Sequence, residues 1–190
     1  MSRLKELIHE APVHERRMEI RTYPLEDNRV IVEGWLRDER LMLGYHWDGR
    51  TRSPGVVHWM GVRLLIGDWP LTILEAEAEM PTIPHELCPS VLDSVNKLVG
   101  LSITSGYSNQ VRRRLGGTKG CAHLAQLILA MGPAAVHGLW AHLSRQPRPV
   151  PRSFEEISGL PYLINSCKLW REDGPFIQEI QKKFQEQKKV

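Results

Sequence analysis

VVHWMGVRLLIGDWPLTILEAEAEM, residues 56–80, decides the fold. Val56 to Asp68 reads as a strand, and Gly67-Asp68-Trp69-Pro70 turns the chain. Leu71 to Met80 alternates apolar and polar residues over its second half, which pairs it with the preceding strand as an antiparallel hairpin. Working upstream, Asn28 to Arg40 places Val30, Val32, Trp35 and Leu36 among polar neighbours as another strand, and Gly34 interrupts the alternation and predicts a bulge. Arg17 to Pro24 is a further half-buried strand, Leu41 to Trp47 a short one, and Asp48-Gly49 and Ser53-Pro54-Gly55 are turns. Residues 1–16 form an extension with one or two helical turns carrying Leu4, Leu7 and Ile8.

Downstream the character changes. Pro81, Pro84 and Pro89 bracket an irregular link containing Cys88. Val91, Leu92, Val95, Leu98 and Val99 then recur at helical spacing until Gly100. A second helix is expected over 108–115, and a third from near Thr118 until Gly132-Pro133 breaks it, because proline cannot donate the helical hydrogen bond. A fourth follows over 134–144. QPRPVPRS, residues 146–153, is an extended link, and residues 153–156 form a short capped turn. Phe176, Ile177, Ile180 and Phe184 mark a last helix. The expectation is one domain over 17–190: strands in 17–80, helices in 88–145, the proline-rich link at 146–153, and a C-terminal segment over 154–190 that crosses back and brings Cys167 near Cys121. Strands first and helices after define an α+β fold, a mostly antiparallel sheet covered on one face by helices.

Composition narrows the function classes. The formal net charge of +3 is too mild for a nucleic-acid binder, which concentrates basic residues on one face. Three cysteines, an odd number, argue against a disulfide scaffold and fit a reducing cytoplasm. The opening MSRLKELIHEAPVHERR lacks the apolar core of a signal peptide. The apolar segment Leu124 to Leu143 is interrupted by Gln126, Pro133, His137 and His142, so it reads as a buried helix pair, with no membrane partner expected.

The chemistry concentrates in GYSNQVRRRLGGTKGCAHLAQLIL, residues 106–129. Thr118 offers an N-cap hydroxyl, and Cys121 falls in or just before the first helical turn, where the helix dipole and nearby arginines favour a thiolate. Cys121 and His123 are two apart, and such residues diverge on a regular helix. They share a ligand only if Cys121 precedes the helix proper. His58, Cys88, Cys121, His123 and Cys167 are the candidate metal donors, suited to zinc or an iron–sulfur cluster. No C-x-x-C pair links them, and a free cysteine equally often just packs in a core. Arg112, Arg113 and Arg114 with Gly116, Gly117 and Thr118 form a candidate site for a small anion, or a solvated helix face. The spacing of a Walker A loop is missing, as are a nucleophile elbow, an H-E-x-x-H pair and a dinucleotide fingerprint. Asp38, Glu39 and Arg40 end a strand and offer a minor acid–base option.

His58-Trp59-Met60, Cys88, Gly100-Leu101, Arg114-Leu115-Gly116-Gly117, Gly120-Cys121-Ala122-His123-Leu124 and Cys167-Lys168-Leu169-Trp170 carry a resemblance over about residues 17 to 180. In these boxes the chain resembles domain of unknown function family 2889 of bacteria, whose pattern has Asp, Thr and His where Trp59, Ala122 and Lys168 stand here. That family brings no activity. In order of elements the chain is also similar to NifU/IscU-type iron–sulfur scaffolds, with His58, Cys88 and Cys121 as positional counterparts. Histidine in place of cysteine there implies zinc or a mixed site. Three functional readings follow. One is a cytoplasmic metal- or iron–sulfur-handling protein, using Cys88, Cys121 and Cys167 with His58 or His123. The second is a cysteine-dependent enzyme or sulfur-transfer acceptor with Cys121 as nucleophile and His123 or His58 as base. The third is an accessory protein that binds an anionic small molecule.

Overall fold

A computed structural model describes residues 2–67, 70–157 and 159–187. After a single helical turn, α1 (Arg3–Glu6), come β1 (His14–Pro24), β2 (Val30–Arg40), the two-residue strands β3 (Gly44–Tyr45) and β4 (Thr51–Arg52), β5 (Gly55–Gly67) and β6 (Thr72–Thr82). The four long strands make one antiparallel sheet in the order β1-β2-β5-β6, and β3–β4 is a small separate ladder between β2 and β5. The hairpin read from residues 56–80 is present, while the turn expected at Asp68-Trp69 lies outside the described residues. A 3-10 run (Cys88–Leu98) precedes α2 (Tyr107–Leu115), a short 3-10 turn (Gly117–Lys119) and α3 (Ala122–Leu143). The α+β expectation holds: antiparallel strands first, helices after.

Strand alternation assigns the two faces of the sheet. Val30, Val32, Leu36 and Asp38 of β2 and Met60, Val62, Leu64 and Ile66 of β5 are buried on one face. On the other face Arg63 bridges Glu33 at 2.8 Å and Glu79 at 2.7 Å, and its guanidinium lies over Trp35. α3 covers the buried face. Leu124, Leu127, Ile128, Met131 and Ala135 are all buried, and Leu127 and Met131 close on Gly34. By length and composition α3 is apolar enough to cross a membrane, but this set of side chains is spent on the core.

Four local expectations need correction. Gly34 sits in regular register, and the bulge lies between Asp38 and Glu39. The glycine is there because a Cβ would come 2.8 Å from Met131 Sδ, so it makes room for the helix and does not kink the strand. Gly132-Pro133 does not break α3, which runs from Ala122 to Leu143 as one helix. The cost of an internal proline, about 3 kcal/mol, is outweighed by the burial of Ile128, Met131 and Ala135 on either side of it, at about 1.5–3 kcal/mol for each large apolar side chain. Thr118 belongs to the 3-10 turn, so Cys121, not Thr118, stands next to the start of α3. Residues 88–98 are 3-10 rather than α, with Pro89 in the first turn.

The chain divides into two compact units, Met1–Gly138 and Leu139–Val190. The second holds a 3-10 turn (Phe154–Glu156), α4 (Leu160–Leu163) and α5 (Pro175–Gln187). Leu160 and Ile177 are buried, and Trp170 meets Phe176 edge to face at 5.1 Å. Cys167 lies in this unit and is exposed.

Candidate metal centre

Asp38 is the last residue of β2 before the bulge, following Val30, Val32, Gly34 and Leu36 on the strand's buried face. Its register partners are Arg16 on β1 and His58 on β5, so three polar side chains meet at one end of an apolar strip. The start of α3 closes that end with Cys121, His123 and Gln126. A carboxylate that is only 3% exposed requires partners. Arg16 donates from Nε to Oδ1 and from Nη2 to Oδ2, both at 2.6 Å, and its Nη1 donates to Gln126. His58 Nδ1 lies 3.1 Å from Oδ2, His123 Nε2 3.6 Å from the same oxygen, and His14 Nε2 3.4 Å from Oδ1. The rings of His58 and His123 face one another with centroids 4.1 Å apart.

Cys121 precedes the helix, so the constraint set by its spacing from His123 is met: its Sγ lies 3.7 Å from His123 Nδ1. His123 thus has one nitrogen toward a sulfur and the other toward Asp38. In the tautomer that carries the proton on Nδ1, toward Cys121, the Nε2 lone pair would face the Asp38–His58 side. This is how metal-binding imidazoles are oriented by their outer partners.

Electrostatics favour the metal-binding forms of two of the donors, Asp38 and His123. The paired Arg16 guanidinium holds Asp38 below the usual carboxylate range against the opposing effect of burial, with His123 and His58 adding smaller pulls. Burial pushes His123 below the usual imidazole value. Charge on His58 and Arg16 adds to this, and only Asp38 pulls the other way. An ionised carboxylate beside a neutral imidazole is a ligating combination. Donor atoms of Asp38, His58 and His123 all lie within 4.8 Å of one another. Tetrahedral donors about 2.0–2.1 Å from a common ion stand roughly 3.4 Å apart. The observed 3.1 and 3.6 Å to Asp38 bracket that value.

Of the residues singled out in the sequence, His58, His123 and Cys121 are thus brought together. Among the described residues the converging group contains neither Cys88, which is half-buried in the 3-10 run, nor Cys167. Arg114 donates to the Lys97 carbonyl, and Lys119 to that of Arg113, so part of the basic segment ties α2 to its neighbours. Gly116 and Gly117 join α2 to the 3-10 turn, and Arg112 and Arg113 are exposed. His14, Arg16 and Gln126 escaped the sequence reading, and Asp38 entered it only as a strand-end acid. For Arg16 and Asp38 the signal was charge on the sheet face that packs the core, Asp38 standing two residues after the buried Leu36; His14 and Gln126 carried none.

The fold and site define an α+β protein with a buried carboxylate and imidazoles at one end of its sheet. The sequence pattern of the family described as Protein of unknown function (DUF2889) matches residues 14–137, more than half of the chain and nearly all of the first unit, and the protein belongs to that family. No curated protein and no solved structure matches the chain, so the likeness to NifU/IscU-type scaffolds gains no support.

Proposed function

We propose that this is a cytoplasmic protein that binds a divalent transition-metal ion through Asp38, His58 and His123. The observation that carries the reading is the convergence of one carboxylate oxygen and two imidazole nitrogens within 4.8 Å at a buried sheet end. A carboxylate with two imidazoles suits zinc or ferrous iron, whereas an iron–sulfur cluster asks for thiolates. Arg16 holds the carboxylate and is itself held by the Gln126 side-chain oxygen, and Cys121 contacts one imidazole, as the outer partners of a metal centre do. Three protein ligands leave a tetrahedral ion one open position, the arrangement of catalytic rather than structural sites. Metal analysis of reductively purified protein is expected to find about one equivalent of zinc or iron per chain. Less than about a tenth of an equivalent, with no uptake after dialysis against either metal, overturns the reading.

One observation favours a second reading. Cys121 Sγ, His123 and Asp38 stand in line as thiol, imidazole and carboxylate, at 3.7 and 3.6 Å. In that reading Cys121 is a nucleophile, His123 its base and Asp38 the orienting acid. Iodoacetamide at pH 7 is then expected to label half-buried Cys121 faster than exposed Cys167. Equal or slower labelling of Cys121 sets the nucleophile aside.

A further inference from the structure

We infer that the metal-loaded centre takes an anionic oxygen ligand, a carboxylate or phosphate group of a small molecule, at its open position. The inference rests on the metal reading above and follows from counting charge. Asp38 is the one carboxylate ion-paired with the site among the described residues, and Arg16 grips both of its oxygens. That pair sums to zero before any ion arrives. His58 and His123 bind a metal as neutral imidazoles, and the remaining groups around them are His14, Gln126 and Cys121. A divalent ion therefore brings two positive charges that no second carboxylate among the described residues offsets, beside an Asp38 that is buried where water screens poorly. A zinc-like ion held by neutral imidazoles completes its charge with an external anion at the open position, either hydroxide formed from its own bound water or another oxygen anion. Here the carboxylate is already engaged, so the balancing charge has to come from outside.

The geometry leaves a way in. Side-chain exposure is 54% for His14, 29% for Arg16 and 27% for His123, so solvent reaches the centre on the β1 side although Asp38 itself is covered. Arg16 and His14 flank that approach with hydrogen-bond donors. A planar or tetrahedral oxyanion has oxygens to give both to the ion and to such donors, which a neutral molecule of the same size lacks.

Cobalt(II)-loaded protein provides the test, because visible absorption of cobalt reports a change of ligand directly. Inorganic phosphate and acetate are added separately, with acetamide as the neutral counterpart of acetate, and gel filtration confirms that cobalt stays bound. At least one of the two anions is expected to shift the spectrum saturably while acetamide does not. Which anion acts separates a phosphate from a carboxylate ligand. Arg16→Gln should weaken anion binding by about tenfold, and Arg16→Lys, which keeps the charge, by less. Protein that takes up no cobalt defeats the metal reading itself. Protein that holds cobalt with a spectrum indifferent to both anions overturns this inference alone.

Discussion

Asp38→Ala is expected to abolish stoichiometric metal uptake and to lower the unfolding free energy of the metal-free protein by about 2–4 kcal/mol. The carboxylate is the hub of the site. Its removal leaves the Arg16 guanidinium beside three histidines with no negative partner. Breaking a buried pair from one side costs about 3–5 kcal/mol, and the lower figure here reflects that Arg16 is 29% exposed and can regain water. Asp38→Asn keeps the volume and one acceptor, so it should retain more of the stability while losing metal, which separates the two effects. The sign of the pH dependence is fixed by the direction of the shift. Asp38 is held below its ordinary value in the folded protein, so its contribution is fully present above about pH 4 and disappears as pH falls through the depressed folded value. Urea melts in the presence of a chelator should show the gap between wild type and Asp38→Ala at neutral pH and its closing in acid. A gap that widens as pH falls contradicts the assignment.

Gly138→Ala is expected to destabilise the protein by about 2 kcal/mol, although alanine is the better helix former by about 1 kcal/mol. The two effects oppose one another, and distance decides between them. A Cβ at residue 138 would stand 2.1 Å from Thr22 Oγ1 and 2.5 Å from its Cβ, so the obstacle includes an atom fixed to the strand backbone rather than the tip of a flexible chain. Either α3 or β1 must shift, and such overpacking costs about 1–3 kcal/mol before any loss of neighbouring contacts. At roughly 2–4 °C per kcal/mol for a chain of this size, the melting temperature should fall by about 4–8 °C. A melting temperature that rises shows that helix propensity wins and that the strand yields without cost.

The strands were legible because alternation along β1, β2 and the second half of β6 is a local property, and the hairpin over 56–80 was read from β6 and the turn before it. Helix α3 was misread at Pro133 because local rules weigh the lost hydrogen bond and are blind to the sheet beneath Met131 and Ala135. Gly34 shows the same blindness from the other side: its missing side chain answers to Met131, nearly a hundred residues away in sequence. At the site, the box around Cys121 and His123 was visible as a motif, and His58 as a polar residue inside an apolar strand. The pairing of Arg16 with Asp38 depends on strand register, and residue type alone does not say which donors a fold gathers: among the described residues the converging group takes in Asp38 and not Cys88.

Arg16 and Gln126 touch although 110 positions separate them. The pocket therefore has no existence in any short stretch of the polypeptide, and a nascent chain must expose everything through the opening of α3 before it can form. On the proposed metal reading, ion capture would then wait for this long-range closure and would not nucleate folding. Occupancy would become a report that β1 and α3 have met: chains stalled or truncated ahead of residue 123 would remain empty whatever the ion supply.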